Sequence, residues 1–225
     1  MIVTFDLFSA LIDTRTGAAK TFAEIAGQRG WELSGEAVYD TWDRHNKALQ
    51  REARAPQTFV EVSGAALRAA YADLGLDPGA AEADLARLHG TIEEWPLWPD
   101  AEAGVRRVAE LARVGLLSNV DDDLASRTRA AGLVDPALLL TSQRLGAFKP
   151  DPAIYHAAVA TAAPDSLVHV AASARDVRGA LEAGIAVVRW ARPGHVVDPD
   201  GPPPDVEVTE ARELADAVRS LAGRR

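Results

Sequence analysis

The sequence predicts an α/β protein whose core is a doubly wound parallel sheet, with a helical segment inserted after the first strand. Two observations support this fold class. A short apolar run, Ile2–Phe5, ends at Asp6, which is typical of a buried parallel strand with little alternation. From about residue 96 onwards, short apolar runs alternate with helical patterns, as in a parallel sheet with crossover helices.

The segment between these two parts, residues 14–95, carries helical spacing and no convincing strand signal. Phe22 and Ile25 share one helical face, and Ser34 is a plausible N-cap for a helix that carries Val38 and Trp42. About four helices are predicted, near residues 17–29, 34–49, 58–74 and 80–92. The segment would therefore lie over the ends of the strands as an all-helical insert.

The rest of the chain completes the predicted sheet. Apolar runs predict strands at residues 115–119, 137–142, 166–172, 185–191 and 204–209. Helical patterns predict helices at residues 100–114, 122–131, 151–163, 176–183 and 210–221. The predicted α/β domain thus consists of residues 1–13 and 96–225, and the insert of residues 14–95.

Composition narrows the class of partner. The chain has 225 residues, of which 48% are hydrophobic, so it can bury a substantial core. Its formal net charge is −9 and it has no run of Lys or Arg, which argues against nucleic acid as a partner. It has no cysteine, no signal-peptide pattern and no apolar run near the roughly 20 residues of a membrane span. We therefore expect a soluble cytoplasmic protein with neither a nucleic-acid nor a membrane partner, and insert helices rich in Ala and Trp could support a homodimer.

Polar side chains fall at or just beyond the ends of the predicted strands: Asp6, Ser118 with Asn119, Lys149, and Asp176. Because the carboxyl ends of parallel strands share one edge of a sheet, these groups can converge. A carboxylate nucleophile needs partners that keep it ionised and that neutralise the anion it attacks. Lys149 supplies charge, Ser118 and Asn119 supply donors, and Asp176 can anchor the lysine. This set predicts a catalytic site around Asp6.

These segments resemble the haloacid dehalogenase-like (HAD) hydrolases. The matching stretches, in chain order, are FDLFSALIDT, LLSN, FKPDPAIY and HVAASARDVRGALEAG. The resemblance implies the Rossmann-like core of that family, with the insert as its helical cap domain. It also implies that Asp6 is a nucleophile that forms a covalent aspartyl intermediate.

Two positions depart from the phosphatases of this superfamily. Those enzymes have a second Asp two residues after the nucleophile, where this chain has Phe8, and a late Gly-Asp pair, where it has Ala171 and Ala172. Mg²⁺ needs hard oxygen ligands in a near-octahedral array. The loss of a carboxylate weakens such a site, although Asp6, Asp176 and water could still bind the ion.

An aromatic residue at the position of Phe8 resembles instead the 2-haloacid dehalogenases, which usually have Tyr there and need no metal or other cofactor. The resemblance implies a small anionic substrate, whose halide Asp6 displaces before water hydrolyses the ester. Lys149 and Ser118 would hold the carboxylates in place. Tyr155 falls where the dehalogenases carry a tyrosine after KPDP.

The same resemblance suggests the substrate-binding residues. The stretch WDRHNK resembles the dehalogenase segment with a substrate-binding arginine, which makes Arg44 the candidate. The full predicted set is Phe8, Arg44, Asn119, Tyr155 and Ser173. Ser9 and Ala10 replace a Gly-Thr pair of the dehalogenases, so we expect a hydroxyl beside the nucleophile to be missing. Of their late polar residues, only Ser173 remains.

Three functions stay open on sequence alone. The first is a dehalogenase-type hydrolase, the second a HAD phosphatase with an altered Mg²⁺ site, and the third a catalytically degenerate HAD-fold binding or regulatory protein. Fold cannot choose among them.

Other polar and aromatic residues have structural interpretations. The acids Asp121–Asp123 are predicted to cap a helix, because acids at a helix N-terminus are favoured by its dipole. His169 is expected to be a hydrogen-bonded structural histidine, and Trp95 and Trp98 to pack between insert and core. Arg175 could reach an anionic substrate, or it could be a solvated residue at a helix start.

Overall fold

The computed structural model describes residues 1–222, and its centre is a parallel sheet. The strands are β1 (Ile2–Phe5), β2 (Arg113–Ser118), β3 (Leu139–Thr141), β4 (Leu167–Ala171), β5 (Ala186–Trp190) and β6 (Val206–Val208). Within the described residues, these six strands pair in the order β3-β2-β1-β4-β5-β6, every pair parallel. The chain starts at the middle and extends the sheet first to one side and then to the other, so the predicted doubly wound α/β fold is confirmed.

Helices make up most of the remaining structure. Those of the insert are α1 (Thr14–Arg29), α2 (Gly35–Glu52), α3 (Phe59–Asp73) and α4 (Ala81–Gly90). Those that follow are α5 (Ala101–Ala109), α6 (Asp122–Arg127), α7 (Ser142–Leu145), α8 (Pro152–Ala162), α9 (Ala174–Glu182) and α10 (Leu214–Leu221). Ser34 caps α2 as predicted, and Thr58 with Glu61 forms a capping box at the start of α3.

The strand predicted at residues 137–142 is shorter than expected. Pro136–Leu138 forms a 3₁₀ turn, and only Leu139–Thr141 pairs with β2. The side chain of Thr141 accepts a hydrogen bond from the backbone of Arg144 and so begins α7 where the apolar pattern alone suggests that the strand continues.

Strand β1 lies at the centre of the sheet and is buried along its whole length. Phe5 is level with Leu116 of β2 and Val170 of β4. The backbone N–H of Asp6 still donates to the carbonyl of Val170 at 2.9 Å, so the sheet fixes Asp6 directly at its carboxyl edge. This is the edge at which open α/β sheets bind ligands.

The two chain segments that connect the insert to the core run side by side. Ile12 and Leu97 form an antiparallel bridge, and the N–H of Asp13 donates to the carbonyl of Pro96 at 2.9 Å. The indole of Trp95 covers the start of α1, where a Cβ on Gly17 would lie 2.6 Å from its ring. Because glycine has no Cβ, it allows the indole to pack directly on the backbone of α1 where the insert begins.

Asp121 makes a further contact between the insert and the core. Its two carboxylate oxygens accept hydrogen bonds from the backbone N–H groups of Phe59, at 2.8 Å, and Val60, at 3.0 Å. Asp121 therefore caps α3 of the insert and makes no side-chain capping bond to α6, the helix that follows it. Capping was the expected role, but the capped helix belongs to a distant part of the sequence.

None of the helices in residues 1–222 is long and apolar enough to cross a membrane.

Candidate active site

A cavity of about 620 Å³ lies between the carboxyl edge of the sheet and the insert. This volume falls within the roughly 300–1,000 Å³ of typical small-molecule sites. Its lining includes the core residues Asp6, Ser118, Asn119, Lys149, Ser173, Arg175 and Asp176 and the insert residues Tyr39, Trp42, Asn46, Gln50, Phe59 and His89. The predicted convergence of polar groups at one sheet edge is thus seen in the geometry.

Asp6 is buried, with 7% of its surface exposed, and both of its carboxylate oxygens have partners. The chain after β1 forms a short π-helical turn, Leu7–Leu11, which folds Ser9 back onto the carboxylate. The backbone N–H of Ser9 donates to Oδ2 at 2.9 Å, and the Ser9 hydroxyl donates to the same oxygen. The Lys149 ammonium donates to Oδ1 at 2.8 Å.

The Ser9 contact corrects one sequence-based expectation. The absence of a hydroxyl at Ala10 suggested that none would lie beside the nucleophile. Ser9 supplies one from the preceding position, because the π-helical turn brings residue 9 over Asp6. The sequence contained the serine, but nothing in it indicated the turn geometry.

Lys149 lies between two carboxylates. Its ammonium donates to Asp6 and to Asp176, and only 4% of the residue is exposed. Asn119 clamps its backbone, since the Lys149 N–H donates to the Asn119 Oδ1 at 2.6 Å and the Lys149 carbonyl accepts from the Nδ2 at 2.9 Å. Burial alone would lower the pKa of Lys149, but Asp176 and Asp6 outweigh it and raise that pKa, so the side chain stays charged.

Asp176 is the anchor of this lysine. Besides Lys149, its carboxylate accepts a hydrogen bond from the Tyr155 hydroxyl at 2.9 Å and lies 3.1 Å from the His169 Nε2. Burial would raise the pKa of Asp176, but Lys149 and His169 outweigh it and hold that pKa well below its usual range. The His169 ring also contacts the Thr4 hydroxyl at 3.0 Å, which agrees with its expected structural role.

Tyr155 does not occupy the position expected of a substrate-binding residue. It is fully buried, lies outside the cavity lining and uses its hydroxyl to hold Asp176. Desolvation and the neighbouring Asp176 raise its pKa well above the usual value for tyrosine, so it remains a hydrogen-bond donor. Its geometry is that of a positioning residue.

Arg44 also lies outside the position that the sequence resemblance suggested. Its guanidinium pairs with Asp73 at 2.9 Å on the outer surface, where 63% of the arginine side chain is exposed. The cavity face of α2 carries Tyr39, Trp42, Asn46 and Gln50, which recur every three or four residues. Arg44, two residues after Trp42, projects to another side of the helix and cannot act as the expected clamp in this arrangement.

The remaining predicted residues do line the cavity. The Phe8 ring stacks on Phe59 of the insert with 5.8 Å between centroids and lies 6.2 Å from Trp95, so these rings form an apolar wall beside Asp6. Ser118 and Ser173 lie at the carboxyl ends of β2 and β4, and their hydroxyls have no hydrogen-bond partner within residues 1–222. They are available to a ligand, whereas both amide atoms of Asn119 are engaged with Lys149 and Gln50.

The donor set of this site does not fit Mg²⁺. The carboxylates of Asp6 and Asp176 both accept hydrogen bonds from the Lys149 ammonium, and Ala171 and Ala172 add only methyl groups. Among the residues that the structure describes, no group of three or more His, Asp or Glu side chains is arranged around a metal position. Mg²⁺ requires an oxygen-rich, near-octahedral shell, which these side chains do not supply.

His89 introduces a pH-dependent contribution to stability. Its ring stacks on Phe59 at the insert side of the cavity, and its Nε2 has no hydrogen-bond partner in residues 1–222. Burial, with a smaller effect of Arg127, lowers its pKa to about 4. The folded state therefore keeps His89 neutral at pH values where the unfolded chain, with a pKa of about 6.5, takes up a proton.

We expect the protein to lose stability as the pH falls from about 6.5 towards 4, by up to roughly 3 kcal/mol from this residue. His89→Leu should remove that part of the pH dependence. Urea denaturation of both proteins at about pH 7 and about pH 4.5 measures the difference. Equal slopes of stability against pH would contradict the assignment.

Comparison with known proteins identifies the class to which this arrangement belongs. The α/β core holds a buried aspartate after its first strand, and a lysine from a later loop donates a hydrogen bond to it. Residues 1–184 of the chain match the family model of haloacid dehalogenase-like hydrolases. The chain belongs to this family, and it is a hydrolase. No curated protein sequence gives a significant match.

Solved structures of similar fold include several L-2-haloacid dehalogenases. The one called PA0810 is 26% identical, with a TM-score of 0.77 over 97% of this chain and 98% of that chain. The one from Xanthobacter autotrophicus is 23% identical, with a TM-score of 0.79 over 98% and 99% of the two chains. The defluorinating enzyme Rha0230 is 24% identical, with a TM-score of 0.80 over 97% and 94%. At these identities, the similarity establishes the fold.

Proposed function

We propose that the protein is a 2-haloacid dehalogenase-type hydrolase in which Asp6 displaces halide from a small anionic substrate. The observation that carries this proposal is the Asp6 carboxylate at the floor of the cavity, held by Ser9 and Lys149 and flanked by the apolar ring of Phe8. The names of the similar solved structures support the same chemistry.

The reaction would have two steps. In the first, an Asp6 oxygen attacks the halogen-bearing carbon, a carbon–oxygen bond forms and halide leaves with the electrons of the carbon–halogen bond. In the second, water attacks the ester carbonyl, which releases the 2-hydroxy acid and regenerates Asp6. One halide and one proton are produced for each turnover.

Each partner of Asp6 has a defined task in this scheme. Ser9 and Lys149 fix the carboxylate through hydrogen bonds, while Asp176 keeps Lys149 in place. The hydroxyls of Ser118 and Ser173 would donate to the substrate carboxylate. The apolar wall around Phe8 would receive the halogen and alkyl group, because neither needs a hydrogen bond.

The division into domains fits this scheme. We propose that residues 14–95 act as a cap and that residues 1–13 and 96–225 form the catalytic core, which acts without a cofactor in the cytoplasm. The cap would supply the aromatic wall and choose the substrate by shape. Its attachment through the paired segments at Ile12 and Leu97 is compatible with movement of the cap relative to the sheet.

We expect purified protein to release halide from a small 2-haloacid in the presence of EDTA. A halide leaves without protonation, whereas the leaving oxygen of a phosphate ester needs a general acid, and Phe8 cannot supply a proton. Halide release from 2-chloropropionate and hydrolysis of p-nitrophenyl phosphate, each measured with EDTA and with added magnesium, form the test.

The outcomes separate the three functions. Strong magnesium-dependent phosphate release would overturn the dehalogenase proposal in favour of a phosphatase with an altered metal site. Inactivity on broad panels of haloacids and phosphate esters would support the third function, a catalytically degenerate binding or regulatory protein.

A further inference from the structure

The cations that line the cavity are neutralised by carboxylates, with one exception. Arg15 pairs with Asp40 at 2.8 Å, and Lys47 pairs with Asp43 at 2.6 Å. Lys149 is shared by Asp6 and Asp176. Within residues 1–222, Arg175 is the cavity-lining arginine or lysine that has no carboxylate within ion-pair distance.

Neutral oxygens of the insert hold Arg175 in position. Its Nη1 donates to the backbone carbonyl of Lys47 at 2.9 Å, and its Nη2 donates to the Gln50 Oε1 at 3.0 Å. The guanidinium carries five N–H donors, so these contacts orient the group without exhausting it. The guanidinium makes no close ion pair in its partly buried position, and burial lowers the pKa of Arg175 from the usual value for arginine, against an opposing effect of Asp176 and Asp6.

Arg175 lies beside a cluster of charged side chains whose net charge is negative. Asp6 and Asp176 carry two negative charges and Lys149 one positive charge, so the cluster around the nucleophile has a net charge of −1. An anionic substrate would be repelled by this cluster. Arg175 precedes Asp176 in α9 and balances the charge at the same edge of the sheet.

We propose that Arg175 binds the carboxylate of the substrate, in the role that sequence resemblance suggested for Arg44. The inference takes its ligand class, a small monocarboxylate, from the proposed function. Arginine suits this ligand because its planar fork matches the two oxygens of a carboxylate. The hydroxyls of Ser118 and Ser173 complete a set of donors that all come from the core. The anion would thus be recognised beside the nucleophile and not by the insert.

The test is equilibrium binding of propionate, which carries the carboxylate but no halogen and cannot react. Isothermal titration calorimetry would compare the unmodified protein with R175Q, R175K and the matched control R44Q. We expect R175Q to bind at least about tenfold more weakly, because a hydrogen bond between charged groups is lost. R175K should be intermediate, since it keeps the charge but lacks the fork, and R44Q should be unchanged.

Several results would overturn the inference. They are propionate binding by R175Q at full strength, a loss of binding in R44Q instead, no propionate binding by the unmodified protein, or an Arg175-dependent preference for inorganic phosphate over propionate. If R175Q does not fold, as judged by circular dichroism, R175K carries the test with an expected loss of at least about threefold.

Steady-state kinetics provide a second, separate test of Arg175. With 2-chloropropionate as substrate, R175K should raise KM more than it lowers kcat, because it weakens binding of the substrate carboxylate. If no haloacid is turned over but propionate binding still depends on Arg175, the proposed reaction fails and the anion site stands.

Discussion

Replacing Asp6 by Asn should reduce turnover by at least about 10³-fold and leave the fold intact, because an amide cannot replace an attacking carboxylate. The side chain keeps its shape and can still accept the hydrogen bond from the Ser9 N–H. Halide release from 2-chloropropionate measures the effect. Asp123→Asn is a matched control, since that carboxylate is 80% exposed at the start of α6 and away from the cavity.

A labelling experiment sharpens this prediction. In a single turnover in ¹⁸O-water, the label should enter the Asp6 side chain, because water attacks the ester carbonyl and the product keeps the original aspartate oxygen. Mass spectrometry of the peptide that contains Asp6 detects the label and also reveals any deamidation of the Asn variant. Label found in the hydroxy acid after one turnover, with none in Asp6, would show direct attack of water on the substrate and rule out the covalent intermediate.

Replacing Lys149 by Met should impair both stability and catalysis. It leaves Asp6 and Asp176 close together without their shared counter-charge, and breaking a buried ion pair in this way costs about 3–5 kcal/mol. Urea denaturation and initial rates of halide release measure the two effects. Lys20→Met is the matched control, because 68% of the Lys20 side chain is exposed.

The pH dependence of the Lys149 variant has a defined sign. In the unmodified protein, the lowered pKa of Asp176 contributes stability above the unfolded pKa of about 3.9, and this contribution is lost as the pH falls further. Without Lys149, burial should raise the pKa of Asp176, so the destabilisation caused by the substitution should be largest near neutrality. The stability gap between the two proteins should narrow as the pH falls towards 4. A variant with unchanged melting and unchanged rate would show that Lys149 has no such role.

The sheet and the polar groups at its edge were predictable because they depend on one general rule. Asp6, Lys149 and Asp176 are separated by long stretches of sequence, yet each lies shortly beyond the carboxyl end of an apolar strand. Parallel strands bring those points together whatever the details of packing. The sequence therefore contained enough information for the fold and for the convergence of these three residues.

The details that sequence reasoning missed depend on local geometry. Ser9 reaches Asp6 only because the following turn is π-helical, and an apolar stretch does not indicate that turn. Asp121 caps a helix about 60 residues away in sequence, which no local pattern can indicate. The misplacement of Arg44 was avoidable, since the three- and four-residue spacing from Trp42 leads to Asn46 and Gln50 and leaves Arg44 on another face.

The bridge between Ile12 and Leu97 has a consequence for how such an enzyme can diversify. Because the insert leaves and re-enters the core at neighbouring points, its ends close without help from the rest of the insert. Insertions are tolerated best where the two ends lie close together at the surface. The whole insert can then be replaced by another during evolution, and a new aromatic wall would suit a new substrate. Arg175 belongs to the core but is oriented by the Lys47 carbonyl and Gln50 of the insert. A recombined enzyme would therefore keep this anion recognition only with a new insert that offers oxygens at the same two places, while the shape of the cavity could change freely.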